Sequence, residues 1–197
     1  MALAISIAKF AIEMTSPNIA SLPTFDPESG ALNMIIETPR GKRTKYKYDE
    51  KTGLFKYDKA MPFGLVFQFD FGFLPGTLGG DGDPLDVLVV TNEPTFTGCL
   101  TLGRLLGVLE AQQTEKGKTN RNDRLIAVPI NSKTFVPEGA VTRLDKSFAS
   151  DIREFFMVYN QLQGKKFRPL GTSGRARAMQ IVKQGMERAN NANTAGA

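Results

Sequence analysis

The chain has 197 residues, a length typical of one domain. Its net charge is +5, and it contains no histidine and a single cysteine, Cys99. These counts exclude mechanisms that need an imidazole, internal disulfides, and metal sites built from histidines or several thiolates. An enzyme of this composition must use its other polar side chains, and we expect a metal or cofactor to assist them.

Charge is unevenly distributed along the chain. The segment 58–110 contains seven acidic and two basic residues, whereas the segment 142–197 contains ten basic and four acidic ones. Between Arg40 and Lys47, five of eight residues are basic. This pattern indicates either a site where cations and a polyanion meet or an ordinary charged surface.

The two ends differ in composition from the rest. Residues 1–30 predict an N-terminal extension, a short helix or an arm, before a single domain at 31–189, and the small polar residues 190–197 predict a flexible tail. Lys9 is the first basic residue, and it lies inside the apolar run 1–12. In a signal peptide the basic residues precede the apolar run. No stretch reaches the roughly 18 consecutive apolar residues of a membrane helix. We therefore expect neither export nor a membrane partner.

The middle of the chain has a β pattern. Short β-branched or alternating segments are separated by glycines and prolines. The predicted strands are 31–37, 44–48, 54–57, 85–91, 99–109 and 125–130, with a hairpin turn at 49–53. Such spacing predicts a small barrel or sandwich.

The C-terminal part has the period of helices. From Ser147 to Leu162, apolar residues recur every three or four positions, and a second helix is predicted from Ser173 to Ala189. The predicted fold class is therefore mainly β (α+β), with two C-terminal helices.

The strongest local signal is Gly-Gly-Asp-Gly-Asp-Pro-Leu-Asp, which places Asp81, Asp83 and Asp86 within six residues. Their repulsion raises the pKa of at least one carboxyl group unless a cation lies among them. Mg²⁺ suits such a site because it binds oxygen and uses one or two carboxylates plus substrate phosphate. An EF-hand is excluded, since its sixth and twelfth positions would be Asp86 and Asn92.

Two other interpretations of this motif stay open. A phosphatase with an aspartyl nucleophile uses two aspartates at the same spacing, but that pair follows an apolar strand, and here Gly79 and Gly80 precede it. A solvated acidic turn is the third interpretation.

The segment 67–90 resembles the signature region of the Mg²⁺-dependent soluble inorganic pyrophosphatases. The likeness rests on Asp-Phe-Gly-Phe-Leu-Pro at 70–75 and Asp-Gly-Asp-Pro-Leu-Asp-Val-Leu-Val at 81–89. It continues in Ile-Glu-Thr-Pro upstream and Leu-Ile-Ala-Val-Pro downstream, and covers roughly 31–189. It implies a five-stranded OB-like β-barrel with peripheral hairpins and two helices packed outside. It also implies a cytoplasmic homo-oligomer, a hexamer in bacterial members.

The resemblance implies hydrolysis of pyrophosphate to two phosphates, with several Mg²⁺ ions, or Mn²⁺ as a substitute, activating water. The matched residues are Asp83 as general base, Asp81 and Asp86 as metal ligands, Lys45, Lys59, Arg124 and Tyr159 as groups that bind phosphate, and Glu37 at the edge of the site.

The sequence departs from the family pattern at several of these positions. The departures are Lys47 for an acid, Lys59 for arginine, Phe71 for tyrosine, and Asn160 for a lysine whose charge Lys165 or Lys166 is a candidate to replace.

A further departure concerns two metal-binding aspartates and a lysine that the family supplies near 115–124. The simplest register places Asn122 at the second aspartate and Arg124 at the lysine. Asp123 then lies one residue away, and Glu115 is the candidate for the first aspartate. A one-residue shift in a strand turns a side chain to the opposite face, so both acids stay candidate ligands.

The departures at Asn122 and Lys47 reduce the negative charge of the site. The loss is about three units, one at Asn122 and two at Lys47. Because metal affinity depends on ligand charge, we expect weaker binding of the second and third ions than in a typical family member.

Three functions compete at this point. The first is pyrophosphate hydrolysis. The second is a catalytically weak or inactive relative that binds a phosphate ligand or serves as an oligomer partner. The third is a nucleic-acid-binding barrel, which the basic ends and aromatic content suggest. The acidic motif fits poorly in a basic nucleic-acid groove, so we expect no nucleic-acid partner.

Overall fold

The computed structural model describes residues 19–132 and 146–195. The strands are β1 (Leu32–Thr38), β2 (Thr44–Asp49), β3 (Leu54–Ala60), β4 (Asp70–Leu74), β5 (Leu85–Val89), β6 (Leu100–Glu115), β7 (Lys118–Arg121), β8 (Arg124–Pro129) and β9 (Lys166–Gly174). The helices are α1 (Lys146–Leu162) and α2 (Arg175–Ala195), and a 3₁₀ turn spans Ile19–Ser21. The prediction of a mainly β protein with two helices is confirmed.

Seven strands form one sheet around the long strand β6. Neighbouring strands follow the order β1-β4-β5-β8-β6-β7, and β9 also pairs with β6. Because β6 pairs with β1 as well, the path of pairings through β1, β4, β5, β8 and β6 returns to its start. The strands β2 and β3 form a separate hairpin. The predicted count of five strands is therefore wrong for the main sheet, and the OB-like barrel stays a prediction.

The two helices cover the sheet through two separate apolar cores. Alternate residues of β5 face opposite ways: Leu88 belongs to the core that includes Phe156 of α1, whereas Val87 and Val89 belong to the core that includes Ile181 of α2. This is the period of two that a strand buried on both faces requires.

The strand β4 was not predicted, although phenylalanine recurs at every second position from Phe67 to Phe73, the spacing of a strand. Every residue of β4 is buried. At its centre, a Cβ on Gly72 would lie 1.9 Å from the carbonyl oxygen of Ile35. Glycine is required there because β4 approaches β1 so closely.

The domain limits are only partly covered by the described residues. Residues 1–18, which include most of the predicted N-terminal arm, lie outside them. Thr24 packs against the domain, and its Oγ1 donates a hydrogen bond to the carbonyl oxygen of Pro75 at 2.8 Å. We expected a separate tail from residue 190, but α2 continues to Ala195; residues 196–197 lie outside the described part.

No helix in 19–132 or 146–195 is long and apolar enough to cross a membrane.

Candidate active site

An open cleft of about 620 Å³ gathers most of the predicted site residues. The hairpin β2–β3, the loop before β5, the end of β6 and the C-terminal half of α1 surround it. Nine of the ten predicted residues line it: Glu37, Lys45, Lys59, Asp81, Asp83, Asp86, Glu115, Arg124 and Tyr159. The tenth, Asp123, lines a neighbouring cavity of about 270 Å³.

The loop that carries the three aspartates is held by a buried threonine at its base. The hydroxyl of Thr77 donates to the carbonyl oxygen of Leu74 at 2.7 Å and accepts the amide of Leu85 at 3.0 Å. Within the loop, Gly82 has a φ of +92°, a conformation that L side chains rarely adopt. The loop therefore has a defined shape before any ligand binds.

The three loop carboxylates have different surroundings. Burial raises the pKa of Asp81, and the nearby charge of Asp86 raises it further. Both oxygens of Asp83 lie 2.9 Å from the ammonium of Lys47. Asp86 accepts a hydrogen bond from Arg124 Nη1. Two of the three carboxylates are thus already paired with cations of the chain.

The loop fits a divalent ion in chemistry, though not as a preformed cage. Its donors are carboxylate oxygens, which Mg²⁺ prefers, and a cation near Asp81 and Asp86 would relieve their repulsion. Within the described part of the chain, no three acidic or cysteine side chains converge closely enough to hold a metal ion. Binding at Asp86 therefore has to compete with Arg124.

Lys47 contacts the aspartate loop through Asp83. Partial burial lowers its pKa, but the hydrogen bond and charge of Asp83, together with the charges of Glu37 and Asp86, outweigh burial and raise the pKa overall. Lys47 therefore enters the site as an ammonium ion.

Arg124 is a buried base that lines the cleft. Its side chain is only 6% exposed, and its Cζ lies 5.9 Å from the ring centre of Phe71 and 5.2 Å from that of Phe156. Besides Asp86, its Nη1 donates to Asn122. Its buried Nε has no hydrogen-bond partner among the described residues. Where the family pattern has a tyrosine, Phe71 thus offers a ring face to a cation.

Three lysines on the strands β2 and β3 line the cleft. Lys45 and Lys47 are two residues apart on β2, so their side chains leave the same face, and Lys45 pairs in register with Lys59 on β3. The Nζ of Lys45 lies 5.4 Å from the ring centre of Phe71. The Nζ of Lys59 donates to Gln163 Oε1 at 2.6 Å.

Glu37 lies at the end of β1 and is 7% exposed. Burial raises its pKa to about 7, against the opposing effects of the Tyr48 amide and of Lys45 and Lys47. The Tyr48 amide donates to Glu37 Oε1 at 2.8 Å. Asp86 adds to the rise. Glu37 is therefore a buried acid that titrates near neutrality beside Lys45 and Lys47.

The register near 122 places the amide, and not the acid, in the cleft. Asn122 lines the cleft, and its Nδ2 donates to Gln113 Oε1 at 3.3 Å. The Oδ1 of Asp123 accepts the Ala111 amide at 2.9 Å and Arg121 Nε at 2.7 Å. Asp123 is therefore used within the sheet and lies away from the cleft.

Sequence reasoning missed Gln113 and left the role of Glu115 open. The two residues line the cleft from β6 at a spacing of two, and this spacing was the signal that could have identified Gln113. Glu115 Oε2 lies 2.7 Å from Lys165 Nζ, and the hydrogen bond from Lys165 lowers the pKa of Glu115. Of the two candidates for the missing lysine, Lys165 lines the cleft, whereas Lys166 is not among the residues that line it.

The helix α1 contributes Tyr159 and Asn160 to the cleft. Tyr159 is 7% exposed, and its ring stacks on that of Phe155 at 6.0 Å. The side chain of Asn160 donates to the carbonyl oxygen of Phe156 at 2.8 Å. Tyr159 therefore belongs both to the aromatic core and to the cleft wall, whereas Asn160 is bound to its own helix.

Comparisons with known proteins identify the family that the chain is similar to. The family model described as "Inorganic pyrophosphatase" matches residues 34–190. An inorganic pyrophosphatase of Synechocystis sp. is 33% identical over 145 residues, which span 74% of this chain and 83% of that protein. One from Halalkalibacterium halodurans is 36% identical over 139 residues, which span 71% and 83%.

The fold points to the same relatives. The crystal structure of an inorganic pyrophosphatase from Thermus thermophilus superposes with a TM-score of 0.78 at 30% identity. The match covers 88% of this chain and 99% of that one. Sequence and fold thus agree over nearly the whole of the described part, and the chain belongs to the inorganic pyrophosphatase family.

Proposed function

We propose that this protein hydrolyses inorganic pyrophosphate to two orthophosphates, with Mg²⁺ as the activating ion and Mn²⁺ as a substitute. The observation that carries the proposal is the meeting of the aspartate loop with Lys45, Lys59 and Arg124 in one cleft. A cleft that contains both carboxylates and cations suits a highly charged phosphate anion that arrives with divalent cations.

The proposed metal ligands are Asp81 and Asp86. A bound divalent ion would neutralise charge on pyrophosphate and increase the acidity of a water molecule. Asp123 is not among the proposed ligands, since a backbone amide and Arg121 already use its carboxylate. A metal at Glu115 would require its ion pair with Lys165 to open.

Asp83 is the proposed general base. It accepts a proton from the water that attacks one phosphorus atom, while the bond from that phosphorus to the bridging oxygen breaks. The departing phosphate carries the electron pair of that bond, and Lys45, Lys59 and Arg124 stabilise its charge. Tyr159 lies at the same wall and is proposed to bind a phosphate oxygen.

We also propose that the protein is a cytoplasmic homo-oligomer, a hexamer by analogy with the family. Exposed apolar side chains on α1 support a subunit contact, since Met157, Val158 and Leu162 are all more than 40% exposed. Light scattering on the full chain measures the number of subunits and tests the oligomeric state.

Phosphate release from pyrophosphate tests the catalytic proposal. The wild type is compared with Asp83→Asn in Mg²⁺ and in Mn²⁺, and we expect the variant to lose about 10²-fold to 10⁴-fold in kcat, the usual contribution of a general base. Asp151→Asn is the matched control because Asp151 is exposed on α1 and outside the cleft; it should keep wild-type activity. Wild-type release no faster than that of Asp83→Asn would refute hydrolysis.

A further inference from the structure

The contact between Lys47 and Asp83 places a cation of the chain beside the proposed general base. The ammonium lies 2.9 Å from each oxygen of the carboxylate. The resemblance leads us to expect an acid at position 47, whose negative charge would attract a divalent ion to the space beside Asp83. With lysine at this position, a positive charge already occupies that space.

The neighbouring positions add no free carboxylate to this part of the cleft. Asn122 and Gln113 face the cleft with neutral amides that bond to each other, and Arg124 is paired with Asp86. Among the described residues, Asp81 is the loop aspartate without an ion pair. The cleft therefore holds fewer free carboxylates for metal ions than its three aspartates suggest.

The ion pair is exposed enough to exchange. The side chains of Lys47 and Asp83 are 52% and 57% exposed, and ion pairs of this exposure contribute little stability. The lysine stem is flexible, and its ammonium can turn its donors to a new partner. A phosphate group entering the cleft can therefore take Lys47 from Asp83 and leave the carboxylate free.

We propose that Lys47 is a resident cation of the substrate cleft, which replaces one divalent ion beside Asp83 and transfers to phosphate when pyrophosphate binds. This inference rests on the proposed hydrolysis of pyrophosphate. It predicts that the protein binds fewer divalent ions before substrate than the three loop aspartates suggest, and that an acid at position 47 restores one of them.

Calorimetric titration of the full substrate-free chain with Mg²⁺ tests this directly. We expect Lys47→Glu to bind one ion more than the wild type, or to bind Mg²⁺ at least about tenfold more tightly. Lys47→Met should lie between the two, and it serves if the glutamate variant does not fold.

Lys51→Glu is the matched control. Lys51 lines the same cleft from the turn between β2 and β3, but it forms no ion pair with the described acidic residues. The substitution changes the net charge by the same amount, so its effect measures long-range electrostatics alone. We expect a change in Mg²⁺ affinity of less than about threefold, because exposed charges are screened by salt.

A second measurement separates this inference from the proposed function. The dependence of pyrophosphate hydrolysis on free Mg²⁺ should be steeper for Lys47→Glu than for the wild type, since one more ion is needed. If the wild type hydrolyses pyrophosphate but the variants at 47 and 51 titrate alike, Lys47 is not a resident cation and the catalytic proposal stands. If the wild type neither binds Mg²⁺ nor releases phosphate, both proposals fail.

Discussion

Glu37 should make the free energy of unfolding fall as the pH rises, which is opposite to the effect of an ion-paired carboxyl group. It is a buried carboxyl group whose Oε1 accepts the Tyr48 amide at 2.8 Å. Glu37→Gln keeps a carbonyl oxygen for that amide and removes the titration. The two proteins should therefore differ mainly in how their stability changes with pH.

The magnitude follows from the difference between the folded and unfolded pKa values. Burial raises the pKa of Glu37 from 4.5 to about 7. Because the folded state holds this proton more tightly, the stability is fully present below about pH 4.5 and is lost as the pH rises through 7. The rise of about 2.5 units, at about 1.4 kcal/mol per unit, corresponds to about 3 kcal/mol.

Urea denaturation between pH 4.5 and 8, in a buffer that chelates divalent ions, measures this difference. The free energy of unfolding of the wild type should fall relative to Glu37→Gln by about 3 kcal/mol across that range. Glu115→Gln is the control: the ion pair with Lys165 lowers the pKa of Glu115, so its contribution is lost as the pH falls, in the opposite direction. Parallel curves for the wild type and Glu37→Gln would show that this carboxyl group is not desolvated.

Two further substitutions test how the cleft is built. Thr77→Val leaves the buried Leu85 amide without its 3.0 Å acceptor, so the free energy of unfolding in urea should fall by about 1–3 kcal/mol. The displaced loop should also bind Mg²⁺ more weakly. Unchanged Mg²⁺ binding would show that Thr77 does not position the aspartates. Lys59→Arg provides the planar fork that binds phosphate in a bidentate manner, so KM for pyrophosphate should fall roughly fivefold with little change in kcat; an unchanged KM would place Lys59 away from the substrate.

The fold was predictable where the local pattern and the burial coincide. In β5, alternate residues enter two different cores, and the sequence shows an apolar run at 87–90. In α1, the spacing of Ile152, Phe155 and Phe156 identified both the helix and its buried face. These elements were found because their own side chains carry the stabilising contacts.

The strand β9 was missed for the opposite reason. Most of its residues are at least partly exposed, and it contains Pro169, which disfavours a strand interior. Its structure comes from pairing with β6 at residues 107–114, and an irregularity lies opposite the proline, between Glu110 and Ala111. No pattern within 166–174 contains this information, because the partner strand is more than 50 residues away.

The site shows the same division between local and distant information. Asp81, Asp83 and Asp86 were identified because they lie within six residues. The contact between Lys47 and Asp83 joins residues 36 apart, and it exists only because the hairpin folds over the loop. The sequence left open whether Asn122 or Asp123 faces the cleft, because the two alternatives differ by one residue of register. In the structure, the hydrogen bond from the Ala111 amide holds the Asp123 side chain within the sheet.

The departures at Phe71, Asn122 and Arg124 form one coupled unit. The guanidinium of Arg124 lies near the ring of Phe71 while its Nη1 donates to both Asp86 and Asn122. A lysine would lack the planar group that packs against a ring. An aspartate at 122 would meet this same buried guanidinium and pair with it before it met a metal ion. Because the three side chains share contacts, their substitutions are not additive, and a carboxylate at 122 becomes available to a divalent ion only if Arg124 is changed with it.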